Sequence, residues 1–108
     1  MLVVSRFRVA EQDAERFRED LRAALALLAA RPGYVDGRVG RNVDDPGLWV
    51  LQTSWENVGS YRRALSSYDV KVGAVPLLSR AIDEPSAYEV VDGPGQGTLN
   101  RAVPRSLG

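Results

Sequence analysis

The 108-residue chain contains no cysteine and no histidine. The first absence excludes disulfides, thiolate nucleophiles, zinc ribbons and iron–sulfur ligation. The second excludes Ser-His-Asp and Cys-His catalysis, an imidazole proton shuttle and histidine-held metal or haem. Lysine is nearly missing as well: of 14 basic residues only Lys71 is not arginine, which leaves one side chain for Schiff-base chemistry. Long apolar runs are lacking. The longest, Ala23–Ala30, falls far short of the ~20 residues a membrane span requires. The opening Leu2-Val3-Val4 is too brief for a signal-peptide core and is followed by Arg6 and Arg8, so the expected location is the cytoplasm. Finally, 14 acidic residues balance the 14 basic ones. Such a surface carries no electrostatic footprint for nucleic acid or an anionic membrane, and neither is expected as a partner. Any catalysis must draw on Tyr, Ser, Arg, Trp, carboxylates or backbone groups.

What is present describes one soluble domain. Apolar residues make up 44% and charged residues 26%, ordinary values for a globular protein. Leu2–Val9 alternates, with Val3, Phe7 and Val9 on one face and Leu2, Val4, Arg6 and Arg8 on the other, the period of a strand. Glu11-Gln12-Asp13 is expected to cap a helix whose apolar stripe is Phe17, Leu21, Ala24, Leu25 and Leu28. Arg16 with Asp20 and Glu19 with Arg22 have the spacing of ion pairs on its outer face. Pro32-Gly33 ends it. Tyr34–Asn42 reads as a second strand, with Gly37 and Gly40 marking bulges or close backbone approach. Asp44-Asp45-Pro46-Gly47 is a turn rather than a metal site, and Leu48–Glu56 a strand apolar on both faces. Asn57 caps a helix carrying Val58, Tyr61 and Leu65. Ser66–Asp69 breaks it, and Val70–Ala81 is helical with a kink at Pro76. Ser86–Val91 is a last strand.

The order is βαββαβ, the ferredoxin-like α+β arrangement of an antiparallel sheet with helices on one face. Residues 1–91 form this domain, and residues 92–108 form a Gly/Pro-containing tail, a mobile arm or a partner-clasping extension. A central strand that is apolar on both faces requires cover on the face without helices. A second copy of the chain supplies it most simply, so a homodimer packed sheet to sheet is expected.

Several local motifs carry a family likeness. Arg31-Pro32-Gly33-Tyr34 enters the second strand, Trp55-Glu56 closes the third, Val58-Gly59-Ser60-Tyr61 opens the next helix and Ala87-Tyr88-Glu89-Val90 lies in the last strand. On these residues the sequence resembles the antibiotic biosynthesis monooxygenase family of dimeric α+β barrels over residues 1 to about 91. The resemblance implies oxidation of an aromatic or polyketide-like small molecule by O₂ with no cofactor and no metal. Members that form quinones use a strand Trp and a Tyr six residues later, positions that correspond here to Trp55 and Tyr61 as catalytic residues. They also use an Asn four residues before the Trp, where this chain has Leu51. Haem-cleaving members need a histidine, which this chain lacks.

A cofactor-free oxygenase needs a dry aromatic pocket, a donor or cation for the developing oxyanion and a path for one proton. Trp55 and Tyr61 suit the wall, Tyr68 and Tyr88 could add hydroxyls, and Arg6 and Arg38 could stabilise an anion. Trp55 and Tyr61 also occupy positions that serve core packing. Two functions remain open: a small monooxygenase, and a non-catalytic dimeric binding or accessory protein of the same fold.

Overall fold

A computed structural model describes residues 1–93, and the tail from residue 94 onward lies outside the described residues. The sheet is built on the period-two pattern of two strands. β1 (Leu2–Arg8) buries Val3 and Phe7, and β3 (Leu48–Trp55) buries Trp49, Leu51, Thr53 and Trp55 while their alternates stay half-exposed. The two run antiparallel from Leu2 opposite Ser54 to Arg8 opposite Leu48. β2 (Tyr34–Arg41) pairs with the other edge of β3, and β4 is only Ala87–Tyr88, beside Leu2 and Val3. The order is β2-β3-β1-β4, antiparallel throughout, as the ferredoxin-like expectation requires. The last strand is shorter than the sequence predicts. In β2 the irregularity falls between Tyr34 and Asp36, not at a glycine. Gly37 instead marks close approach, since a Cβ there would stand 2.8 Å from the Leu25 side chain.

Helix α1 (Ala14–Ala29) lays Phe17, Leu21, Ala24 and Leu28 on the sheet, the expected stripe. Its start differs from expectation. Glu11–Asp13 forms a 3-10 turn whose carboxylates complement the helix dipole, but no side chain caps the helix by a hydrogen bond. Among the described residues the ion pair of this helix is Glu15 with Arg18, not the pairs the spacing predicts. The Arg31 N–H closes the end on the Leu28 carbonyl at 3.0 Å, and Gly33 turns the chain with φ of 90°. α2 (Val58–Ser66) opens as predicted, with the Ser60 N–H donating to Asn57 Oδ1 at 2.8 Å.

The next helical stretch is two short helices, α3 (Tyr68–Gly73) and α4 (Val75–Leu78), and they break at Ala74. Pro76 falls in the first turn of α4, where a missing N–H costs nothing, so the proline starts a helix instead of kinking one. Tyr68 likewise begins a helix where the sequence predicts a break. Buried residues of all these helices except α4 join Val3, Phe7, Trp49, Leu51 and Trp55 in one core. The opposite face of the sheet, with Leu2, Val4, Leu48 and Val50, lies outside that core.

Candidate active site

The inward-facing side chains do not fill the space under the helices. A cavity of about 410 Å³ remains between the β1–β3 face and helices α1, α2 and α4. Its floor carries Ser5, Leu51 and Thr53; Leu28, Tyr61 and Leu65 form walls; Asp83 and Glu84 stand at its rim. Cavities of this size hold small organic molecules.

Three aromatic rings from three elements meet beside the floor. Trp55, 2% exposed at the end of β3, lies 5.7 Å from Tyr61 at a tilt of 52° and meets Tyr34 edge-on at 5.5 Å. Centroid spacings of this kind are the favoured aromatic geometry. The Trp55 indole N–H does not face the cavity: it donates to Thr53 Oγ1 at 2.9 Å. Burial pushes the Tyr61 hydroxyl up from its ordinary range, because the phenolate would lose solvation. Tyr61 is therefore a neutral donor and acceptor across physiological pH.

The remaining wall is the segment between α4 and β4, held along the free edge of β1. The Ile82 N–H donates to the Arg6 carbonyl at 2.8 Å and the Val4 N–H to the Ser86 carbonyl at 2.7 Å. The Arg6 guanidinium adds a bidentate pair to Glu84, at 2.7 and 2.8 Å. Those bonds hold the Glu84 carboxyl below the usual carboxylate range.

The structure brings Trp55 and Tyr61 together and spreads the other predicted site residues elsewhere. Tyr61 lines the cavity, while Trp55 backs it through Thr53. Tyr68 opens α3, 77% exposed, and does not line the cavity. Arg38 stands opposite Gln52, and Tyr88 opposite Leu2, so both belong to the open face of the sheet. Arg6 shares that face and reaches the cavity wall only through Glu84. A second groove, about 630 Å³, runs between α1 and β2 past Arg18, Arg22 and Trp49. None of the six predicted residues lines it.

Ser5 and Thr53 were not singled out in the sequence. The signal for Thr53 was its place in the inward row Trp49, Leu51, Thr53, Trp55, where a polar side chain is out of pattern. Among the described residues no three His, Cys, Asp or Glu side chains gather in a metal-holding group. No described helix is long and apolar enough to cross a membrane.

Comparison with known proteins places the fold. The family model described as antibiotic biosynthesis monooxygenase matches residues 1–74. Among solved structures, SnoaB, a cofactor-independent oxygenase from Streptomyces nogalater, is 25% identical with a TM-score of 0.65, covering 85% of this chain and 96% of that one. A mutant of the same protein is 27% identical with a TM-score of 0.64, covering 75% and 82%. A conserved protein from Methanosarcina mazei Go1 shares the fold at 21% identity and a TM-score of 0.65, covering 80% and 84%. A search of the curated proteins found no match. The family model covers well over half of the sequence, and the chain belongs to the antibiotic biosynthesis monooxygenase family.

Proposed function

We propose that this protein is a cofactor-independent oxygenase that oxidises a small aromatic or polyketide-like molecule with O₂ in the cavity beneath its helices. One observation carries this function: a chamber of about 410 Å³ of mixed apolar and polar lining, with hydroxyls on its floor and the Trp55–Tyr61 pair at its side. The likeness to SnoaB supports it. In such a reaction the substrate loses a proton and the carbanion or phenolate passes an electron to O₂. The radical and superoxide combine into a C–O bond, and the peroxide takes up a proton and expels water to leave a carbonyl. The overall change is CH₂ plus O₂ to C=O plus H₂O. The protein supplies a partly enclosed chamber, donors for the developing oxyanion and a fixed orientation. In this scheme Tyr61 is a hydroxyl donor to the substrate and Trp55 a rigid support behind Thr53.

The protein acts, in this proposal, as a homodimer packed through the open face of the sheet. Leu2, Val4, Leu48 and Val50 put apolar side chains among the polar ones of that face, and a second copy would remove them from water.

The test is oxygen uptake in metal-free buffer with phenolic and anthrone-like compounds. Uptake of one O₂ per substrate is expected, falling about tenfold or more in Tyr61→Phe and Trp55→Phe. Absence of uptake with every one of these compounds that binds would overturn the oxygenase assignment. The protein would then be a dimeric binding or accessory protein, a function favoured by Leu51, which places an apolar side chain on the cavity floor.

A further inference from the structure

We infer that Thr53 is the residue that holds the acidic oxygen of the substrate, that Trp55 positions it, and that the substrate enters uncharged. This rests on the cavity being the substrate site, as proposed above.

Thr53 is 2% exposed and belongs to the cavity floor. A buried hydroxyl has one proton to donate and two lone pairs to accept with. One lone pair of Thr53 is taken by the Trp55 indole, 2.9 Å away. An indole N–H only donates, so this bond cannot use the threonine's proton. The proton is left for an acceptor in the cavity. The same bond restricts rotation about the β-branched side chain, so the donor is aimed before a ligand arrives. Trp55 cannot itself donate to the substrate, since its one N–H is already committed.

The lining decides the charge of the ligand. Among the described residues no Lys or Arg lines the cavity, whereas Asp83 and Glu84 both do. A carboxylic acid, ionised at neutral pH, would meet the Asp83 carboxylate and a Glu84 whose charge is already paired with Arg6, and no cation on the lining. A phenol or enolisable ketone enters neutral and develops its negative charge only at the floor, where Thr53 donates to it. A donor to a charged oxygen contributes more than one to a neutral oxygen, so Thr53 favours the ionised form.

The probes are 4-nitrophenol, its methyl ether 4-nitroanisole, and 4-nitrobenzoate, with binding followed by absorbance and calorimetry at a mildly acidic pH where the phenol is neutral and the benzoate still ionised. The wild-type protein is expected to prefer the phenol over the ether and to bind the benzoate weakest. Thr53→Val should lower the phenol-to-ether preference about tenfold while leaving ether affinity unchanged, and Thr53→Ser should restore it. Trp55→Phe, which keeps the hydroxyl but frees it to rotate, should give an intermediate preference.

Thr53→Val leaves the buried Trp55 N–H without a partner. If that variant does not fold, Thr53→Val combined with Trp55→Phe removes both partners and serves in its place. An unchanged preference in either valine variant overturns the Thr53 assignment and leaves the cavity as a ligand site. Absence of binding by both phenol and ether to the wild type overturns the cavity assignment and the anchor with it. Benzoate binding as tight as that of the phenol overturns the charge selection.

Discussion

Gly33 carries the chain from α1 into β2 with φ of 90°, and a side chain there would overlap Ser60 at the start of α2. Both facts act at one residue: the backbone angle strains any L side chain, and the close approach leaves no room for a methyl group. Gly33→Ala is expected to cost about 1–3 kcal/mol, measured by urea denaturation. A loss below about 0.5 kcal/mol would show that Ser60 yields easily.

This residue was legible from Pro32-Gly33 as a helix end, though its contact with α2 was not, because that depends on how distant elements pack. Thr53 was less legible still. In a strand it satisfies ordinary β-propensity, and only its phase relative to Trp49 and Trp55 betrays it. Arg6 and Arg38 show the converse. Both have chemistry that suits an anion, yet the strand period carries them to the face away from the cavity.

At the scale of elements, the segment from Ile82 to Ser86 is held by two backbone bonds and by the Arg6–Glu84 pair. The hydrogen bonds from Arg6, and then its charge, hold the Glu84 carboxyl below its ordinary value. A depressed carboxyl stabilises the fold above its unfolded pKa, about 4.3, and that contribution is lost as pH falls through the lower folded value. Asp45 follows the same sign, lowered by the Arg8 hydrogen bond and the Gly47 N–H. The segment should therefore stay closed from neutral pH down to about pH 4 and loosen below it. Amide exchange at Ile82 measured from pH 7 to pH 3, corrected for intrinsic rates, should reveal the acid opening. In Glu84→Gln the same site should exchange faster at pH 7 and lose most of its pH dependence. Equal protection in wild type and variant would assign the closure to the backbone bonds alone.

Element type followed closely from the sequence for α1, β1 and β3, where one period dominates. It failed at Ala74 and Pro76, because a proline serves equally as helix breaker and helix starter and only the neighbouring turn decides.

For the whole molecule, the sheet's open face sets the association expected in solution. A sedimentation mass near twice the 11.8 kDa of one chain is expected, and a stable species of single-chain mass would contradict it. Val50→Arg, which sets a second guanidinium opposite Arg6 on that face, should shift the protein toward monomer, with a loss of solubility as the rest of the face is uncovered. The α+β architecture could be read from element order alone. The cavity could not, since it is the volume that packing leaves over.

The Ile82–Ser86 segment is at once a wall of the chamber and the cover of β1's outer edge. Passage of a ligand past it therefore bares a strip of unpaired backbone, the kind of surface on which chains stick together. A molecule resident in the chamber keeps that strip hidden. Supplying a tight ligand during storage or heating should delay the onset of turbidity, even for a compound the protein never transforms.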